Sequence, residues 1–405
     1  MKDGVIKSFV FLLLLLASVN NVAVAAISYP TWYDYREAYE GNGTFMEPYI
    51  ISKPGHLAQL SYEVNEQGNP HKGHFFVLTA DIDLNKTVDG VRVEWKPIGY
   101  RPYDYDKQYR FQGALLGVDT KSMKDSGWSS GLKHSISGMY IKATDSDNVQ
   151  YCGLFGRLHG LVLGVELKDF TIEFNQLFYN DIIIGGLCGM TYGSSIECTE
   201  YVGGPSELMK MSNGVYSCNV EGSISATGGG GNVYVGGVVG YNTEYNGVGH
   251  TTSNVSISVE NCSSVGGVVA TGNGAIVDCA ANVNIIASSM SVSADGGAIG
   301  GIVGYVGEKM TVRACSSMGT ISMCQAQSVS LGGIAGKMCY GTQIRGCSST
   351  MSMDVEKAGY VGGIVGHMRQ GTGVSTLSAK VENCAYGGNI NVGASMDATG
   401  GICGY

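Results

Sequence analysis

One short phrase constrains this fold more than anything else in the chain: an apolar residue, two glycines, two small or aliphatic residues and a third glycine. It stands as Ile-Gly-Gly-Leu-Cys-Gly at 184–189, Val-Gly-Gly-Val-Val-Gly at 235–240, Gly-Gly-Ile-Val-Gly at 300–304, Leu-Gly-Gly-Ile-Ala-Gly at 331–336, Val-Gly-Gly-Ile-Val-Gly at 361–366 and Gly-Gly-Ile-Cys-Gly at 400–404. Several copies lie about 30 to 38 residues apart, the period of a solenoid whose repeats bury their apolar faces only against their neighbours. Gly inside a strand costs roughly 0.5–1 kcal/mol against Ala, so three per turn answer a geometric need. In a parallel β-helix, coils stack about 4.8 Å apart, and corners with positive φ or crowded backbones recur in register. The expected fold is all-β, a parallel β-helix.

A second phrase accompanies the first. An aliphatic residue stands three before a cysteine and usually another six after it: Val215/Cys218/Ile224, Val259/Cys262/Val268, Ile276/Cys279/Ile285, Val312/Cys315/Ile321, Ile344/Cys347/Met353 and Val381/Cys384/Ile390. Cys188 and Cys403 fill an aliphatic slot of the glycine phrase itself. A cysteine that recurs once per turn and elsewhere trades places with Val behaves as a small buried hydrophobe. An internal cysteine ladder is therefore expected, with Cys198, Cys324 and Cys339 the residues least bound to the repeat and so the candidates for disulfides. No Cys-x-x-Cys pair exists, which argues against zinc.

Residues 1–25 carry Lys2 and Lys7 ahead of the apolar run Phe9 to Ala17, then Ala23-Val24-Ala25, the pattern of a secretory signal peptide. The apolar run is too short to span a bilayer, and no later stretch reaches the roughly 20 apolar residues of a membrane helix. The net charge of −9 is thinly spread and lacks basic clusters, which excludes a nucleic-acid footprint. Localisation is expected to be secreted, cell-surface or periplasmic.

Residues 27–150 read as an N-terminal cap and first coils. Tyr49-Ile50-Ile51 is expected as a strand, Pro54 to Asn65 as a helix burying Leu57, Leu60 and Val64, and Phe75 to Leu84 as a further strand. An amphipathic helix covers the exposed end of a solenoid. Trp95 to Gly99 makes a turn, and residues 100–133 form an insertion. Strands resume at Ser135 to Ile141 and at Gly153 to Gly156, and residues 151–405 are the repeats. Between Cys262 and Cys279 the repeat is compressed, which leaves open whether Gly266-Gly267-Val268-Val269 is a coil or a loop.

The series from Glu47-Pro48-Tyr49-Ile50-Ile51 through Thr79-Ala80-Asp81-Ile82-Asp83-Leu84, Trp95-Lys96-Pro97-Ile98-Gly99, Phe111-Gln112-Gly113, His134 to Met139 and Gly153-Leu154-Phe155-Gly156 resembles the opening of exported bacterial proteins that carry the GLUG motif. The later glycine phrases resemble the motif itself, and together they cover nearly the whole chain after the signal. The resemblance implies an exported, Bacteroidetes-type protein, a right-handed β-helix and a surface or adhesive role, without specific chemistry. GLUG repeats also accompany the catalytic part of immunoglobulin A-cleaving metallopeptidases, but this chain holds no His-Glu-x-x-His, and peptidase activity does not carry over.

Motifs that carry chemistry fail on context. Gly127-Trp128-Ser129-Ser130-Gly131 matches a nucleophile elbow but follows a polar loop instead of a buried strand. Gly332 to Met338 resembles a phosphate-binding loop, yet is one residue short and has Met where Ser or Thr should hold magnesium. His71-x-x-His74 lacks a recognisable third ligand and sits on a turn rich in Gly, Pro and Lys, as solvated histidines do. Asp81 and Asp83 share a face and close turns; Asp104 and Asp106 lie in the insertion; Asp278, Glu308, Asp354 and Glu382 match no common coil position. No catalytic residue, metal site or cofactor is expected.

Aromatics make the better recognition site. Tyr103, Tyr105, Tyr109 and Trp128, interleaved with charged residues of the insertion, suit sugar or protein contacts, because a ring offers flat apolar area at low entropy cost. The sequence thus predicts a non-enzymatic, adhesin-like module for glycan or host and surface protein partners, with a carbohydrate-active β-helix lyase or hydrolase as the alternative. The repeats stop in mid-phrase at Tyr405, which leads to the expectation of further repeats or of a covering partner at that end.

Overall fold

The computed structural model describes residues 30–100, 109–117, 134–144, 149–176, 181–193, 213–291, 297–324, 328–369 and 378–405. It is a parallel β-helix. Among the described residues, one sheet stacks ten short strands, from Tyr49–Ile51 and Phe75–Leu78 through Gly214–Tyr216 and Gly247–Gly249 to Lys380–Glu382. A second stacks seven strands, from Phe155–Leu158 to Val365–Met368, and the third holds the long strands together with the glycine strands. A complete coil runs Gly247–Gly249, Thr252–Glu260, Ser264–Gly266 and Val269–Gly272. The long strand Thr252–Glu260 alternates strictly, with Ser253, Val255, Ile257 and Val259 buried and the residues between them mostly exposed, as a sheet with one wet face requires.

That coil contains Gly266-Gly267-Val268-Val269, so the compressed stretch is a full turn of the helix, with Ala270 where other copies have their third glycine. The glycines answer crowding, not positive φ. A Cβ on Gly266 would lie 1.8 Å from the Val269 carbonyl oxygen, and one on Gly267 would lie 2.1 Å from the Gly301 oxygen of the next coil. The first glycine lets the two-residue turn close, and the second lets neighbouring coils touch backbone to backbone.

Positive φ recurs at another corner, before the long strands. Gly164, Ser217, His250, Asp278, Ala314, Gly346 and Asn383 all take φ between 50° and 69° there. The next residue points inward and forms the column Val165, Cys218, Thr251, Cys279, Cys315, Cys347 and Cys384. On three coils the backbone reaches the next side chain in this column: the Cys218 N–H donates to Thr251 Oγ1, the Cys315 N–H to Cys347 Sγ and the Cys347 N–H to Cys384 Sγ, each at 3.4 Å. Cys262 does not belong to this column. It sits at the following corner, just before Ser264–Gly266, and Thr251 takes the place the spacing gave it. No described cysteine is in a disulfide; Cys324 is exposed and Cys339 buried, while Cys198 lies outside the described residues.

The cap departs from a regular coil. Pro54 opens the helix Pro54–Asn65, which buries Leu57, Leu60 and Val64 as its spacing predicts. Its polar side is used as well. Asn65 donates to the Pro97 carbonyl at 2.9 Å and accepts the Gly99 N–H at 2.9 Å, while Ser61 donates to the Lys96 carbonyl at 2.7 Å. The Trp95–Gly99 turn is thereby fixed to the helix, with Trp95 buried and its indole donating to Leu154 O at 3.1 Å. The expected strand Phe75 to Leu84 is two strands in different sheets, Phe75–Leu78 and Ile82–Asp83, because the chain turns a corner at Thr79 to Asp81. Gly138, at φ 69°, similarly divides Ser135–Ser137 from Tyr140–Thr144.

Candidate functional site

Of the four aromatic residues proposed from the sequence, Tyr103, Tyr105 and Trp128 lie outside the described residues, as do Asp104, Asp106 and the Gly127–Gly131 motif. Tyr109 is 7 % exposed. Residues 109–117 are part of the coil and not of an insertion, since Ala114–Leu116 is a strand between Phe75–Leu78 and Leu161–Leu163 and Phe111 bridges to Leu158, and Arg157 Nη2 donates to the Tyr109 carbonyl at 2.8 Å. The Tyr109 ring therefore has no free face for stacking.

The carboxylates do not converge. Asp81 accepts the Ser135 N–H at 2.8 Å, a bond that holds its carboxyl below the usual range, and Asp83 accepts the Asn85 N–H at 2.8 Å. Both close turns. Asp278 pairs with His250 at 2.7 Å on the surface, and Glu308 accepts from Tyr340. Gly332 to Met338 runs strand, turn, strand, so no helix N-terminus is there to receive a phosphate.

His71 and His74 correct the expectation of solvated histidines. His71 is 3 % exposed, its Nε2 lies 2.8 Å from Glu63 Oε2, and its Nδ1 lies 3.3 Å from His74 Nδ1. Tyr39 also donates to Glu63 Oε2, and Gln59 to Oε1 at 2.8 Å. Burial works against the Glu63 charge, but the bonds from His71, Tyr39 and Gln59 outweigh it and lower its pKa; burial and the neighbouring His71 lower that of His74. Spacing alone missed this cluster because Glu63 and Gln59 come from the helix and Tyr39 from the segment before the first strand. Among the described residues no three His, Cys, Asp or Glu side chains are arranged to hold a metal ion.

A different aromatic feature runs along the repeats. On the glycine strands, Tyr151, Ile183, Tyr234, Ser264, Ala298, Ser330 and Tyr360 stand in register from coil to coil. On the strands after the turn, Arg157, Met190, Tyr241, Thr271, Tyr305, Lys337 and His367 do the same. The two files meet across the turn. Tyr234 and Tyr241 rings are 6.3 Å apart, Tyr360 and His367 rings 4.7 Å apart, and the Arg157 guanidinium lies 5.2 Å from the Tyr151 ring centre.

Read coil by coil, the pairs are Tyr151/Arg157, Ile183/Met190, Tyr234/Tyr241, Ser264/Thr271, Ala298/Tyr305, Ser330/Lys337 and Tyr360/His367. Rings occur on every second coil, about 10 Å apart at a strand spacing of about 4.8 Å. They are half-buried, and most side chains on the coils between them are buried. The last coil adds Tyr405, stacked on Tyr360 at 5.1 Å. Burial raises the Tyr151, Tyr234 and Tyr241 phenols, that of Tyr234 to about 12, so these rings stay neutral at physiological pH. The signal was present in the sequence as the residue that follows each third glycine, in Gly240-Tyr241, Gly304-Tyr305, Gly366-His367 and Gly404-Tyr405, where the reading of the phrase had stopped at the glycine.

No family model matches this sequence, and no curated protein does. Solved structures do match its fold, among them two with protease names. One is a Bacteroides ovatus crystal structure named as a candidate immunoglobulin A1 protease, 20 % identical, with 90 % of this chain and 86 % of that one covered at a TM-score of 0.46. The other is named an IgA1 protease, is 14 % identical, and has 73 % of this chain but 19 % of its own length covered, at a TM-score of 0.41. Both names are those of enzymes, and this overturns the expectation that the chain is not one. At this level of similarity the activity in those names belongs to those proteins, and what the chain has in common with them is a β-helix.

Proposed function

We propose that this chain is an exported β-helix of the GLUG-motif kind that grips an extended polysaccharide along the aromatic file of its repeats. The observation that carries the reading is the alternation of the file, with half-buried rings on every second coil and small or buried residues between them. A sugar ring laid on a Tyr face buries apolar C–H surface while its hydroxyls remain wet, and rings repeating at about twice the strand spacing suit an extended chain of sugars better than a compact ligand. Export rests on the signal-like residues 1–25.

Affinity electrophoresis through gels containing individual polysaccharides tests this. Retardation of the native protein by at least one polymer is expected, with affinity reduced about tenfold by Tyr241→Ala and by Tyr305→Ala, each single ring contributing about 1 kcal/mol or somewhat more. Replacement of Tyr103, Tyr105 and Trp128 by Ala together with deletion of residues 118–127, which spares the sheet strand Ala114–Leu116, should leave the retardation in place. Retardation that survives both tyrosine substitutions but is lost with these changes would move the site away from the repeats and refute this reading.

A further inference from the structure

The rings of the file keep a fixed stride. Counting the Tyr151/Arg157 coil as the first, tyrosines stand on the first, third, fifth and seventh coils, at Tyr151, at Tyr234 and Tyr241, at Tyr305 and at Tyr360. On the coils between them Ile183, Ser264, Thr271, Ser330 and Lys337 are buried and Met190 is half-buried, so the surface dips at every even coil. Tyr405, stacked on Tyr360 at 5.1 Å, joins the seventh-coil platform. The Tyr234 and Tyr241 ring centres are 6.3 Å apart across the turn, so one sugar seated over the turn reaches either column. Charge is withdrawn from such a ligand. Neither column contains Asp or Glu, Arg157 is committed to the Gly99 and Tyr109 carbonyls at 3.4 and 2.8 Å, and Lys337 is 5 % exposed. Burial, with Lys337 and Arg369 behind it, lowers the His367 pKa, which leaves that imidazole neutral at physiological pH.

We infer that the ligand of this file is a neutral polysaccharide whose sugars are joined equatorially through C1 and C4, of the β-1,4-glucan or β-1,4-N-acetylglucosaminan kind. This rests on the recognition reading above and narrows it to one class of ligand. Equatorial bonds at both ends of each pyranose make the chain a nearly straight two-fold ribbon, in which each sugar advances by nearly one strand spacing and every second sugar faces the same way. Laid along the file, such a ribbon sets the same C–H face on a ring at every second coil, about 10 Å apart. Its equatorial hydroxyls point to the edges of the ribbon, so a phenol ring covers C–H groups without stripping water from hydroxyls. Chains linked α-1,4 or β-1,3 coil instead, and leave a straight file after one or two rings.

The stride fixes how affinity grows with length. Two sugars reach one ring coil, three reach two and five reach three, so binding should tighten with the third and fifth sugars and stay nearly level with the fourth and sixth. Titration calorimetry on the full chain measures this with cello- and chito-oligosaccharides of two to six sugars, and with malto- and laminari-oligosaccharides of the same lengths as coiled comparators. In at least one of the first two series, the steps to three and to five sugars should each tighten binding about fivefold or more, the size expected of one stacked ring, and the steps to four and to six less than about twofold. Tyr305→Ala should abolish the rise at the fifth sugar, because every run of three successive ring coils includes the fifth coil, and should keep the rise at the third, carried by Tyr151 with Tyr234 and Tyr241. Tyr305→Phe should keep both rises, and an unchanged thermal transition in the two variants assigns the loss to the ring and not to the fold. A smooth rise with length, or comparators bound as tightly as the straight chains while Tyr241→Ala and Tyr305→Ala still weaken both, would overturn the linkage assignment and leave the recognition reading standing. Binding to none of the four series, with gel retardation by some other polysaccharide intact, would overturn it too, and failure in both assays would remove the two readings together.

Discussion

The cap and the repeats solve the same problem, closing a stack of parallel strands, with opposite materials. Residues 30–117 use large side chains and specific polar bonds: Trp95, Phe76 and Phe111 fill the first coils, Asn65 and Ser61 hold the Trp95–Gly99 turn, and the Tyr39–Glu63–His71–His74 cluster fixes the helix to the first loops. From Gly153 to Ile364 each turn of the glycine phrase pairs a glycine with one buried aliphatic residue, such as Leu187, Ile302 or Ile364, and uses no aromatic ring. There the backbone itself is the packing surface, and glycine is what lets it approach. A side-chain device can be lost one bond at a time, whereas a backbone device tolerates no added atom.

The largest expected effect tests that contrast inside the glycine phrase. A Cβ on Gly301 would sit 2.1 Å from the Gly333 carbonyl oxygen, whereas one on Gly401, the same place in the last coil, meets nothing within 4 Å. Gly301→Ala should therefore lower stability by about 3 kcal/mol, the upper range for overpacking, and Gly401→Ala by less than about 0.5 kcal/mol. Denaturant midpoints of the two variants measure this, and equal losses would mean that the phrase serves something other than close approach. In the cap, Asn65→Ala leaves the Gly99 N–H and the Pro97 carbonyl without this partner, which costs about 2 kcal/mol.

Acid should separate the two regions. His74 has a folded pKa below its ordinary value, so its contribution is complete above about pH 6.5 and is lost as pH falls toward the folded value. Glu63 is also depressed, so its contribution is present above its ordinary carboxylate range and is lost as pH falls through its folded pKa. Both signs agree: the cap loosens on acidification from pH 7 to pH 3, the His74 part first and the Glu63 part below its ordinary carboxylate range, by about 1 kcal/mol or less for His74 because it is partly screened by solvent. Trp32 and Trp95 lie in the cap and no tryptophan follows Trp128, so tryptophan emission follows this region while far-ultraviolet dichroism follows the repeats. Glu63→Gln should flatten the emission change. A parallel loss of both signals in the native protein would remove the distinction.

What the sequence disclosed divides along the same line. Solenoid architecture, the helix Pro54–Asn65 and its buried face follow from periodicity, because each repeat confronts the same neighbours and therefore repeats its residues. The His71 cluster was illegible because its members meet only when the helix folds back over the first coils. The tyrosine file was half-legible. One column follows each third glycine and the other stands two residues before the first, but alternation between coils appears only when registers are known, since Ala270 replaces a glycine and the coils differ in length. Cys262 was assigned to the wrong corner for a related reason: two corners of one coil present similar aliphatic spacing and a left-handed residue just ahead, His250 before Thr251 and Asn261 before Cys262, and only the strand register distinguishes them.

The smallest effects belong to the cysteine column, where the two materials meet, because the backbone N–H groups of Cys218, Cys315 and Cys347 are offered to a side chain of the next coil. Thr251 already replaces cysteine once, with a hydroxyl accepting the Cys218 N–H. Cys315→Thr should therefore cost no more than about 1 kcal/mol, the worth of a single modest hydrogen-bond or packing change. Chemistry should differ far more than stability. The hydrogen bond with Cys279, with burial behind it, pushes the Cys315 thiol up to about 12, and burial does the same for Cys152 and Cys262, so almost no reactive thiolate exists in these at pH 8. Iodoacetamide should label exposed Cys324 first and the column only on unfolding, with mass spectrometry reporting the order. Labelling of Cys315 as fast as Cys324 in the folded protein would show that the coils open there, and would place the weak point of the solenoid within the repeats instead of at the cap.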